Sequence, residues 1–148
     1  MRRALLALAA AAVLAGGCGG GGGAGTTEAV PTEPAPKLPA CAGAESTDAP
    51  PALPVDFPLP PGTVVTSADT PYAGQVVALG LIPADIQEAA SFFGGALPEH
   101  GYEMGIGDSE GNESEAPFTG NGYRGKWRVN EIPECPAVRL TLVLIEQS

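Results

Sequence analysis

From Val55 to the C-terminus, apolar and polar positions alternate in a pattern that predicts strands around a single helix. Thr63-Val64-Val65-Thr66, directly after the Pro60-Pro61-Gly62 turn, reads as a short strand. Gln75 to Ile82 reads as a second, with Val77, Leu79 and Leu81 on one face and Val76, Ala78 and Ile82 on the other. Both faces are apolar, so this strand is expected in a central position of the sheet. The period then changes. Ile86, Ala89, Ala90, Phe93 and Leu97 recur at helical spacing, the stripe a helix needs to bury one side. Asp85 precedes them as an N-cap, with Glu88 three residues on to complete a capping pair. Gly101 is a natural helix stop. Pro98 is expected to kink the last turn, because its ring clashes with the carbonyl of Gly94. Tyr102, Met104 and Ile106 then resume strand alternation.

The strongest local signal is Gly120-Asn121-Gly122, because Asn-Gly favours a two-residue hairpin turn. With Asn121 and Gly122 in the turn, Gly120 faces Tyr123, Phe118 faces Gly125, Ala116 faces Trp127 and Ser114 faces Val129. That side is largely apolar. On the other side Thr119 meets Arg124, Pro117 meets Lys126 and Glu115 meets Arg128. A slip of one residue would carry Trp127 to the charged side, so the register is well specified. Val138, Leu140, Leu142 and Leu144 supply a final strand. The expected fold class is α+β: a small, mostly antiparallel sheet of about five to six strands with one helix packed on one face, order β-β-α-β-β-β-β.

Upstream the pattern disappears. Residues 19–54 open with five glycines and continue in Thr, Ala, Pro and Glu without apolar periodicity. Such a stretch reads as a flexible linker, and about 35 residues of it would reach roughly 30–35 Å. Residues 55–148 are expected to form one domain.

The first residues have a different logic. Met1-Arg2-Arg3 is a short basic start and Ala4 to Ala15 is an uncharged apolar run, the layout of a signal segment. The run is shorter than the roughly 20 residues a membrane-spanning helix needs. Leu14-Ala15-Gly16-Gly17-Cys18 resembles the lipobox of bacterial lipoproteins, with the leucine one step earlier than the usual pattern. The resemblance implies that residues 1–17 are a lipoprotein signal peptide, that cleavage falls before Cys18, and that Cys18 carries a thioether-linked diacylglyceryl group. Two acyl chains suffice for stable anchoring, at about 0.8 kcal/mol per buried methylene. The chain is then expected at the extracytoplasmic face of the cell membrane. Lysine is confined to Lys37 and Lys126 while Ala, Gly and Pro abound. With the lipobox, that bias points to an actinobacterial source.

Export changes the reading of the cysteines. With Cys18 lipidated, Cys41 and Cys135 remain as an even pair in an oxidising compartment and are expected to form a disulfide. They lack CxxC or Cys/His spacing, so no zinc site is expected. Net charge is −10 at pH 7, and loss of Arg2 and Arg3 from the seven basic residues leaves five against seventeen acidic ones, or −12. That balance argues against nucleic acid and against a charge-based grip on anionic lipid.

Three patterns look chemical. Gly107-Asp108-Ser109-Glu110-Gly111 matches G-x-S-x-G, but a nucleophile elbow needs a following helix and a downstream histidine. Here a strand-forming segment follows, and the single histidine, His100, lies upstream at the helix end. Asp108, Glu110, Asn112, Glu113 and Glu115 form a dense acidic run whose spacing is not that of an EF-hand; it reads as a solvated turn with Glu115 paired to Arg128. Arg124, Lys126 and Arg128 stand at i, i+2 and i+4 on one strand face. They are the densest positive charge in an acidic chain and the candidate partner contact, since Arg suits carboxylate and phosphate.

No catalytic residue, metal ligand or cofactor is expected. The favoured reading is a monomeric, membrane-anchored, non-catalytic interaction or accessory domain of the cell envelope, contacting an envelope protein or polymer. The alternative is a module binding a small ligand or envelope polymer in a helix–sheet groove. Its mark would be a concave pocket above about 300 Å³ beside Trp127 or the tyrosines.

Overall fold

A computed structural model describes residues 34–43 and 52–148. Residues 1–17 and Cys18 lie outside the described residues. The described strands are β1 (Val64–Asp69), β2 (Gln75–Ile82), β3 (Tyr102–Met104), β4 (Asp108–Glu110), β5 (Glu113–Gly120), β6 (Tyr123–Glu131) and β7 (Val138–Glu146), with helix α1 (Ile86–Glu99) between β2 and β3. They form one antiparallel sheet in the order β1-β2-β7-β6-β5-β3, with β4 also paired to β5. The class is α+β, as the patterning predicts, with one α-helix among the described residues, packed on one face.

β2 runs over the expected residues and lies between β1 and β7, where an all-apolar strand belongs. The β5–β6 hairpin has every predicted pair, from Gly120↔Tyr123 to Ser114↔Val129. Asn121 and Gly122 both take positive φ, 51° and 81°, as a two-residue turn matching strand twist requires. Gly125 has its own reason: a Cβ there would collide with the Phe118 ring that covers it.

α1 begins where predicted. The Asp85 carboxylate accepts from the Glu88 N–H at 2.8 Å, satisfying one of the helix's free donors. Ala89, Phe93 and Leu97 are buried against Trp127, Val129, Leu142 and Leu144. Phe93 stacks on Trp127 with centroids 5.1 Å apart and planes 18° from parallel. Full burial of such side chains stabilises the fold by about 1.5–3 kcal/mol each. Pro98 stays inside the helix, in the last turn, and the chain leaves at Gly101 with φ 81°.

The departures occur at the edges. β1 extends beyond Thr66 to Asp69, through an irregularity between Val65 and Ser67. A bulge on a polar edge strand limits pairing with other chains. At the opposite edge the expected alternation of Tyr102, Met104 and Ile106 fails after Met104, and Ile106 is 97% exposed. Gly105 to Gly107 breaks the strand, because Gly107 passes so close to the Glu115 carbonyl that a Cβ would not fit. Pairing resumes as β4, three residues within the segment expected to be a solvated turn, and this brings the strand count to seven.

The segment upstream of β1 also contributes. Phe57 packs among Tyr102 and Phe118, with centroids at 5.5 and 5.6 Å. Pro34–Gly43, within the stretch read as linker, carries a 3-10 turn at Ala40–Ala42. Leu38, Ala42 and Cys135 pack on Leu81, Ile132 and Ala137 in a second, smaller cluster. The Cys41–Cys135 disulfide is present, with Cα atoms 5.7 Å apart and a sequence separation of 94. It ties this segment to the β6–β7 loop.

Candidate functional site: the uncovered sheet face and two clefts

Strand alternation assigns the sheet two faces. One lies under α1. On the other the register builds rows of neighbours: Thr119, Arg124, Ile145 and Gln75; then Pro117, Lys126, Val143 and Val77; then Glu115, Arg128, Thr141 and Leu79. Arg124, Lys126 and Arg128 therefore share one face, next to an aliphatic strip of Val77, Leu79, Val143 and Ile145.

The three cations are not equivalent. Both Glu115 carboxylate oxygens accept from Lys126 Nζ at 2.9 Å. The same carboxylate takes Arg128 Nε and Nη2 at 2.6 Å. Glu113 adds a contact to Arg128 at 3.4 Å and accepts from Asn130 Nδ2 at 2.6 Å. These donors, Lys126 first and then Arg128, hold the Glu115 carboxyl below its usual range. The hydrogen bond to Glu115 raises Arg128 in turn. Lys126 and Arg128 are thus engaged internally. Arg124 has no ion-pair partner among the described residues and is the strip's free cation.

Arg139 on β7 is a fourth cation on this face, opposite both Leu81 and Asn130. It too has no ion-pair partner among the described residues. The alternation of residues 138–146 already places it opposite to Val138 and Leu140, and that parity was the signal available for it in the sequence.

A cleft of about 420 Å³ opens between the start of α1, the β4–β5 turn and the β6–β7 loop. Ile86, Gln87, Ser109, Glu110, Ser114 and Pro136 are among its lining residues. It exceeds the size expected of a ligand groove, but neither Trp127 nor a tyrosine lines it. Trp127 is 3% exposed within the core, and its indole N–H has no acceptor among the described residues.

The remaining candidates are kept apart. Ser109 Oγ pairs with Ser114 Oγ at 2.7 Å, at the start of β5. The His100 imidazole Nδ1 lies 2.9 Å from the Ala96 carbonyl, and its own carbonyl accepts from Asn121 Nδ2 at 2.7 Å at the far end of β5. Six residues of strand, about 20 Å, separate the two places. The acidic run is divided too: Glu113 and Glu115 turn to the cations, and Asp108 accepts from the Ser109 N–H at 2.9 Å. Among the described residues no three metal-ligating side chains gather at one point.

Comparison with protein-family models, characterised proteins and solved structures finds no match for this chain.

Proposed function

We propose that this protein is a lipid-anchored lipoprotein of the bacterial cell envelope, of actinobacterial type, held at the extracytoplasmic face of the membrane through Cys18. Its folded domain is a non-catalytic interaction module that presents the uncovered sheet face to an envelope protein or polymer. One observation carries this reading. Four of the five cations among the described residues, Arg124, Lys126, Arg128 and Arg139, share that face with an aliphatic strip, in an otherwise acidic chain. Arg is enriched at contact surfaces, and the centre of such a patch is more apolar than the rest of the protein surface. Arg124 is the expected first contact, because Glu115 already neutralises its two neighbours.

The test is affinity recovery from membranes with the lipidated protein, comparing wild type with Arg124→Glu. Loss of the same partner band from the variant, at unchanged thermal stability, supports the reading. Identical recovery from both sinks it.

The size of the helix–sheet cleft favours a second reading, small-ligand binding at that place. Gln87→Trp, which fills the cleft from its rim, should then abolish the line broadening of a bound envelope saccharide in ligand-observed NMR.

A further inference from the structure

A separate groove of about 370 Å³ lies on the uncovered face, between the disulfide-held segment and strands β1, β2 and β7. Leu79 and Leu81 are in its floor, Ala42 and Gly43 form its wall, and its polar lining residues are Thr66, Thr141 and Arg139. The geometry points to a binding site for one long-chain carboxylate, with the head on Arg139 and the hydrocarbon chain on Leu79 and the strip beyond it.

The residues of the groove select that ligand. Arg139 is a planar, always charged fork suited to bidentate pairing with a carboxylate. It has no carboxylate partner among the described residues, so an incoming anion displaces no internal pair. Leu79 is 44% exposed, an unusual state for a leucine in a non-edge strand. The aliphatic surface then continues in register from Leu79 to Val77 and Val143 and on to Ile145, whereas Leu81 behind Leu79 is covered by Leu38 and Ala42. Four residues of strand give this track a length of about 14 Å, a shape for a linear apolar body rather than a compact one. The charge sits at one end of the track, as a single-headed amphiphile requires. The wall is covalently positioned, because Cys41 binds Cys135 next to Ala42 and Gly43. Arg139, Leu79, Val77 and Val143 belong to the face proposed above as the partner contact, whereas Arg124 does not line the groove, and the site does not depend on the anchoring through Cys18.

The experiment uses the full chain carrying Cys18→Ser, with the Cys41–Cys135 bond formed, so that no acyl group of the protein competes. Hexadecanoate is titrated below its micellar concentration by calorimetry, alongside hexadecanol and acetate. Saturable one-to-one binding of hexadecanoate is expected, with hexadecanol and acetate each weaker by at least tenfold. Arg139→Gln and Leu79→Asp should each weaken hexadecanoate by at least tenfold, at unchanged circular dichroism, while Arg124→Gln should leave it unchanged. Equal affinity for hexadecanol and hexadecanoate, or undiminished binding by Arg139→Gln, would overturn the assignment. So would binding to anionic phospholipid vesicles without binding to monomeric hexadecanoate, which would identify a charged surface rather than a groove.

Discussion

The Trp127 indole lies stacked on the ring of Phe93, joining the middle of β6 to the middle of α1 across the core. Removing it should cost what a large buried aromatic costs, so Trp127→Ala is expected to lose about 3–5 kcal/mol in urea unfolding. Trp127→Phe should lose well under half as much, because it keeps ring contact and deletes a donor that has no acceptor among the described residues. Lys126→Ala, one residue away on the opposite face, should change little. A similar loss in Trp127→Ala and Lys126→Ala would contradict the assignment of the two faces.

Reduction of Cys41–Cys135 frees a long loop in the unfolded chain, worth at most about 4–5 kcal/mol on chain-entropy grounds. The melting temperature should fall on reduction, and hydrogen exchange should rise first at Leu81, Ile132 and Ala137, which lose their cover. Peptide mapping without reductant should recover the two cysteines as one linked pair.

Glu115 makes stability depend on pH in a predictable direction. Its carboxyl is depressed in the folded state by Lys126 and Arg128, so between the folded and unfolded pKa values the unfolded chain binds more protons. The contribution is complete above the ordinary glutamate value of about 4.3 and is lost as pH falls through the lower folded value. Urea midpoints of wild type and Glu115→Gln should differ at about pH 6 and converge as pH falls below the ordinary glutamate value of about 4.3. A gap that stays constant over that range would show that the ion cluster contributes nothing titratable.

Asn121 links the β5–β6 turn to the end of α1 through the His100 carbonyl. Asn121→Asp keeps a side chain that tolerates positive φ but replaces the donor by a second acceptor. It should therefore destabilise the fold by about 0.5–1.5 kcal/mol, the net worth of a hydrogen bond at an exposed position, while Asn121→Gly, which relieves the backbone and removes the side chain, should lose less. Thermal melts of both variants decide this.

The proposed anchor has its own outcome. Metabolic labelling with a palmitate analogue should mark the wild-type chain and leave Cys18→Ser unmarked. Label retained on Cys18→Ser would refute lipidation at that residue.

What was legible in the sequence was local. Turn chemistry at Asn121-Gly122 and the alternation on either side set the β5–β6 register, down to Glu115 opposite Arg128. The change of period after Ile82, with Asp85 as cap, marked the start of α1. Each of these depends on residues within a few positions of one another, where backbone preference and side-chain period act directly. Ile106 shows the limit of that reasoning: its alternation is regular, yet the close approach of Gly107 to β5, a contact between strands, turns it out to solvent.

The order of the strands, by contrast, was decided only in three dimensions. β7 enters between β2 and β6, pairing residues as distant as Gln75 and Ile145, and no local pattern encodes a partner that far away. The same holds for Phe57, an isolated aromatic among prolines that is buried because Tyr102 and Phe118 leave a place for it. It holds also for the functional face. Spacing put Arg124, Lys126 and Arg128 on one strand face, but only the packed sheet adds Arg139 to them and determines that Glu115 holds two of the four while Arg124 and Arg139 have no ion-pair partner among the described residues. Pairing of charges depends on distances of a few ångströms between side chains, and those distances exist only once the strands are in register.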